Sequence, residues 1–129
     1  MKNYGLEITQ RPDLPAVLAR WHREITTVEL KAGYKAILDS ADDCQCWRWL
    51  LDVRRREEII MPEVAEWMRQ EFFTQLAGRY ENPVRLALLV SPSREQRMGR
   101  TATTTESAGE GYVIATFTDE ASAFEWLAR

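Results

Sequence analysis

The ten residues Trp47-Arg48-Trp49-Leu50-Leu51-Asp52-Val53-Arg54-Arg55-Arg56 constrain this chain more than any others. They pass from a mostly apolar run into three consecutive cations. A short apolar run bounded by polar residues reads as a strand buried on both faces, the kind found inside a parallel sheet. It is too short for a buried helix, and helical apolar patterns lie on either side of it. In open α/β sheets, ligands gather just beyond the carboxyl ends of the strands. Here that end carries Arg54, Arg55 and Arg56, so what this edge binds is the first functional question.

Upstream, Tyr4 to Gln10 alternates weakly and predicts an edge strand, with Pro12 and Pro15 placing a turn after it. Ala16 to Ile25 also alternates. Val17, Ala19 and Trp21 fall on one side and Arg20, His22 and Glu24 on the other, which predicts an antiparallel hairpin with one wet face. His22 has no catalytic partner near it in sequence and reads as a solvated surface residue. Thr26-Thr27-Val28-Glu29 fits a capping box, a hydroxyl followed three residues later by a carboxylate. The helix it opens should run to about Ser40, with Leu30, Tyr34, Ile37, Leu38 and Ala41 as its apolar stripe. Gly33 weakens that helix but allows close packing. Asp39 to Cys46 reads as a loop.

Downstream, Pro62 suits the first turn of a second helix, and Glu63 and Glu66 complement its positive end. Val64, Met68, Phe72 and Leu76 form its stripe, widened by Ala65, Trp67, Phe73 and Tyr80 into a core face with room for an extra contact surface. Asn82-Pro83 ends it. Val84 to Val90 is a second buried strand, followed by Ser91-Pro92-Ser93-Arg94 and then Arg97 and Arg100. Residues 91–111 form one long irregular segment. Tyr112 to Phe117 is a last strand, and Thr118 or Asp119 caps a closing helix with Ala121, Phe124, Leu127 and Ala128 on its apolar side. The alternation of strands and helices predicts one α/β domain over residues 1–129. Its sheet is four- or five-stranded and mixed, with an N-terminal β-hairpin and helices packed against it.

Composition narrows the function. A chain of 129 residues suits a single domain that buries roughly two-thirds of its unfolded surface. A net charge of -3, with basic residues interleaved among acids, gives no general attraction to nucleic acid or anionic lipid. Cys44 and Cys46 are too few for a zinc site, and a bridge between them on an extended chain would be strained, so a reduced pair is expected. Met1 to Gln10 has no apolar leader core, and no stretch approaches the ~20 apolar residues of a membrane span. The expectation is a cytoplasmic protein without membrane insertion, metal or cofactor. Catalytic residues are not expected either. Ser91 and Ser93 have no histidine near in sequence, Asp42 and Asp43 lack ligand spacing, and there is no glycine-rich phosphate loop.

Leu50-Leu51-Asp52-Val53-Arg54, Arg85-Leu86-Ala87, and Phe117-Thr118-Asp119-Glu120-Ala121 with Trp126-Leu127, set on this order of elements, resemble the STAS-like superfamily. The nearest branch is the SpoIIAA-like one, named for anti-sigma factor antagonists. The resemblance spans nearly the whole chain and rests on structural motifs. It implies a four- or five-stranded sheet with packed helices, and a role in partner binding or small-ligand sensing rather than catalysis. Antagonists of this fold carry a phosphorylatable Ser or Thr where the central strand meets the next helix. Val53 to Pro62 contains neither, so a phosphorylation switch is not expected there, and its cations would suit an acidic partner or a bound anion.

Two candidate sites follow. Arg54 and Arg55 end one strand, and Ser91, Ser93 and Arg94 end its expected neighbour. On adjacent parallel strands these groups would converge near the helix start at Pro62 and could hold phosphate or carboxylate. The plainer alternative pairs Arg54 to Arg56 with Glu57, Glu58 and other surface acids, and leaves Asp52 to hydrogen-bond the following turn. The second candidate is the wide aromatic face, where Trp67 and Phe73 would meet a protein partner. Five tryptophans also leave apolar surface that a homodimer could cover. The expected function is a non-enzymatic regulatory domain binding a protein partner, with sensing of a small anionic ligand at the Arg54/Arg94 edge as the alternative.

Overall fold

A computed structural model describes residues 2–3, 5–11, 13, 15–22, 26–55, 66–92, 106–109 and 111–128. Along the chain come β1 (Lys2–Asn3), β2 (Leu6–Arg11), β3 (Ala16–Trp21), α1 (Thr27–Cys44) and β4 (Arg48–Asp52). A π-helical turn (Met68–Phe72) runs into a 3₁₀ turn (Phe73–Gln75), and then come β5 (Val84–Leu89), β6 (Glu106–Gly109), β7 (Tyr112–Phe117) and α2 (Glu120–Ala128). β3, β4, β5 and β7 lie parallel side by side, and β2 pairs antiparallel with β3. These five strands are the expected mixed sheet with its N-terminal hairpin. Short β1 and β6 extend its two margins, giving the order β1-β2-β3-β4-β5-β7-β6 among the described residues.

β4 lies in the middle and is buried on both faces, as its composition requires. Trp49 and Leu51 point into one core and Leu50 into the other, each at most 1% exposed. The first core lies under α1 and the 68–75 segment. Leu30, Tyr34, Ile37, Leu38 and Ala41 supply the stripe of α1, and Thr26 caps it with the anticipated box: Glu29 N–H donates to Thr26 Oγ1, and Thr26 N–H to Glu29 Oε1. An alanine methyl at Gly33 would sit 3.1 Å from Leu6 Cδ2, which shows how closely α1 lies on the sheet. An aromatic relay crosses this core from Trp21 to Tyr34, Phe72, Phe73 and Tyr112, with ring centroids 4.6 to 5.7 Å apart. The second core lies under α2, where Ala16, Ala87 and Ala115 leave room for Trp126 and Leu127.

Five local expectations are corrected. β3 has no continuous wet face: Ala16 and Leu18 are buried because α2 covers that side; Arg20 and His22 reach water, and Glu24 lies outside the described residues. α1 continues to Cys44 instead of stopping near Ser40, since Ala41 is buried and Asp42 is anchored by Arg79. The expected start of the second helix at Pro62 lies outside the described residues; the chain is helical at Glu66 and Trp67, and the helical turns end at Gln75 rather than at Asn82-Pro83. Its wide π turn, closed by Phe73 N–H to Met68 C=O, lets consecutive Phe72 and Phe73 both enter the core. On α2 the buried residues are Ala123, Trp126 and Leu127, while Ala121 and Ala128 are exposed. Finally, Cys44 and Cys46 are joined by a disulfide rather than reduced. Gln45 takes the left-handed conformation (φ 55°, ψ 41°) at the helix end and folds the chain back. The two Cα atoms come within 5.2 Å, a span that a bridge accommodates and that the extended-chain expectation did not consider.

Gly111 makes a test of this packing. Its φ is +88°, and a Cβ there would lie 2.5 Å from Ala77 Cα, so both backbone conformation and space exclude a side chain. Gly111→Ala should lower the unfolding free energy by about 2 kcal/mol or more, read by urea titration. A change near zero would mean that the turn before β7 does not approach Ala77 as described.

Candidate functional site

The carboxyl ends of the parallel strands carry a closed network of charges. Arg20 on β3 and Asp52 on β4 are register partners. Arg20 Nη1 donates to Asp52 Oδ2 and to Glu120 Oε1, each at 2.8 Å. Arg54 holds Asp52 with a two-pronged grip, Nε to Oδ1 at 3.0 Å and Nη2 to Oδ2 at 2.9 Å, and its Nη2 reaches Glu120 at 3.4 Å. The Arg54 backbone N–H also donates to Asp52 Oδ1, the turn contact expected of Asp52. Burial pushes the Asp52 carboxyl up, but the hydrogen bonds and charge of Arg54, with the hydrogen bond from Arg20, outweigh it and hold Asp52 below the usual carboxylate range. Hydrogen bonding to Glu120 raises Arg20, and hydrogen bonding to Asp52 raises Arg54.

Glu120 opens α2, so this network also ties the helix start to the sheet. Asp119 caps that start by accepting from Ser122 N–H at 2.8 Å. At the other end of α2, Arg48 Nε donates to Leu127 C=O at 2.9 Å and Arg85 Nη2 to Trp126 C=O at 2.7 Å, the arrangement a helix dipole favours.

The residues nominated from the sequence divide. β4 and β5 are adjacent and parallel, as convergence of their ends requires. Arg54 is engaged with Asp52 and Glu120; Arg55 is exposed; Ser91 is half-buried just after β5. Ser93, Arg94 and Arg56 lie outside the described residues, as do Glu57 and Glu58. Phe73 is a core residue, stacked on Tyr112 at 4.6 Å. Trp67 is half-buried, stacked on Phe72, and lines a cleft. Of the five tryptophans, Trp21, Trp49 and Trp126 are in the core, and among the described residues Val28 is the exposed large hydrophobic.

That cleft, of about 500 Å³, runs between α1 and the 68–75 segment. Trp67, Phe72 and Leu38 give it an apolar wall, Lys31, Lys35 and Arg79 give it cations, and Asp39 lies at its margin. Arg79 is neutralised by Asp42 through bonds of 2.8 and 2.6 Å, and Tyr80 Oη donates to Asp42 at 2.7 Å. The hydrogen bond from Arg79 comes first among the causes that hold Asp42 low, while burial and the Asp42 contact push Tyr80 up. Lys31 Nζ stands 5.4 Å from the Trp67 ring centroid, within cation–π range. Among the described residues, neither Lys31 nor Lys35 makes an ion pair. Sequence reasoning missed these lysines. Their i, i+4 spacing on α1 was a visible signal, but only the tertiary fold sets Trp67 against them.

Among the described residues no cluster of three or more His, Cys, Asp or Glu could hold a metal ion, and no helix is long and apolar enough to cross a membrane. Comparison with known proteins finds no family model, curated protein or solved structure that matches the chain.

The network gives a pH-dependent test. Asp52 titrates lower in the folded than in the unfolded chain. Its contribution is therefore complete above the unfolded carboxylate value of about 3.9 and fades as pH falls through the lower folded value. Asp52→Asn should cost about 2 kcal/mol at neutral pH and flatten the fall in stability below about pH 4. Some acid sensitivity should persist through Asp42, which is also held low. Urea unfolding across pH checks both; an unchanged acid limb in Asp52→Asn would disconnect Asp52 from the arginines.

Proposed function

We propose that the chain is a non-enzymatic regulatory domain of the STAS-like type that binds a protein partner in the cleft between α1 and the 68–75 segment. The observation that carries this reading is Trp67, a half-buried tryptophan in a concave wall beside Lys31 and Lys35. Interfaces concentrate their binding energy in such aromatic anchors, set in partly dry pockets and rimmed by charge. The mixed α/β sheet and the Leu-Leu-Asp-x-Arg strand agree with the STAS-like reading. The alternative, a small anion held at the Arg54/Arg94 edge, would require Arg54 to exchange Asp52 and Glu120 for the ligand. The cleft needs no such exchange.

A photo-crosslinking residue at Gln75, which is exposed and lines the cleft, tests this in lysate of the source cells. One discrete cross-linked protein is expected. Trp67→Ala should weaken its binding at least about thirtyfold, the scale of a 2 kcal/mol anchor. Arg55→Ala should leave it intact. Binding that survives Trp67→Ala but is lost in Arg55→Ala would return the search to the strand ends.

A further inference from the structure

A second groove lies on the other flank of α1, with Asp39 bordering both it and the Trp67 cleft. β1 covers only the start of β2, with Lys2 opposite Glu7 and Asn3 opposite Leu6. β2 continues through Ile8 to Arg11 with β3 on one side and, among the described residues, no strand on the other. In an antiparallel ladder, successive residues turn their N–H and C=O groups alternately toward and away from the neighbour. The bond from His22 N–H to Gly5 C=O, 2.8 Å, sets the phase. Glu7, Thr9 and Arg11 therefore bond toward β3, and the main-chain groups of Ile8 and Gln10 face the open side.

A groove of about 720 Å³ runs along that side, between β2 and α1. Ile8 and Ala36 give it apolar surface. The Gln10 side chain reaches across to Ser40, donating to its C=O at 3.1 Å and its Oγ at 3.2 Å. Asp39 and Asp43 carry the charge of the lining, and among the described residues no cation lines it. Among the described residues neither carboxylate makes an ion pair.

We infer that this edge accepts an added β-strand from a basic segment of a partner protein. The exposed main-chain groups of Ile8 and Gln10 supply the ladder, the apolar surface takes one side chain of the incoming strand, and Asp39 and Asp43 select lysine or arginine beside it. A second copy of this chain fits less well. Pairing two β2 edges about a two-fold axis would set Asp39 and Asp43 of both copies against one another, in a chain whose net charge is already -3. The proposal does not depend on the Trp67 cleft.

The probe is a fluorescein-labelled octapeptide of alternating valine and lysine. Two controls accompany it: an alternating valine–glutamate peptide, and the valine–lysine peptide N-methylated at every second amide. Anisotropy measures binding, and NMR hydrogen exchange reads the Ile8 and Gln10 amides. The valine–lysine peptide should bind saturably and slow exchange at both amides, and both controls should fail. Asp39→Asn with Asp43→Asn, at exposed positions on α1, should weaken binding about tenfold. Gln10→Pro, which removes an outward donor without touching the ladder to β3, should weaken it as well. The inference is overturned if no saturable binding occurs, or if the N-methylated peptide binds equally well. It is also overturned if the two amides are unaffected at saturation, or are already protected in a free protein of dimer mass.

Discussion

Four arginines hold a nine-residue helix over the parallel strands on one face of the sheet, and the second core depends on that attachment. Helices shorter than about 12 residues are marginal in water on their own. Trp126 and Leu127 supply burial, but the position of α2 is set by charge at its two ends. Arg20 and Arg54 meet Glu120 at the start, and Arg48 and Arg85 meet the Trp126 and Leu127 carbonyls at the finish. Glu120 at the start, and Arg48 and Arg85 at the finish, have the signs the helix dipole favours. Asp52, buried at the end of β4, is what keeps the first two arginines together. Without α2, Leu50, Leu89 and Phe117 would face water, and β4 would lose one of the two buried faces that make it the centre of the fold.

This arrangement bears on function. The carboxyl edge of a parallel sheet is the usual place for a ligand, and here Arg20, Asp52, Arg54 and Glu120 are engaged with one another while Arg55 stays exposed. Two grooves flank α1. One flank sets Lys31 and Lys35 beside Trp67; the other sets Asp43 beside the open edge of β2, with Asp39 bordering both. A helix that sets lysines beside an aromatic wall and carboxylates beside an open strand edge suits a protein that meets other proteins, and the proposed regulatory role takes its support from there.

Much of the fold was legible because it rests on local patterns. The buried run at β4, the Thr26–Glu29 capping box and the stripe from Leu30 to Ala41 each announce an element, and the alternation of strands and helices gives the parallel pairing. What was not legible depends on distant contacts. Nothing near Leu18 says that α2 covers it, nothing near Asp42 says that Arg79 lengthens α1, and consecutive Phe72 and Phe73 do not declare a π turn. The same limit governed the sites. Arg54 looks like a free cation in sequence because Arg20 and Glu120, 34 and 66 residues away in number, are invisible as its neighbours. Trp67 could be nominated from its place on a wide stripe, but the lysines opposite it could not.

The most direct measurement follows the side-chain Nε–Hε signals of Arg20 and Arg54 by NMR while inorganic phosphate is added. If the strand ends are a closed structural attachment for α2, both signals should stay in place and exchange slowly with water through the titration. A saturable shift at Arg54, with release of Asp52, would contradict the account and make that edge an anion site.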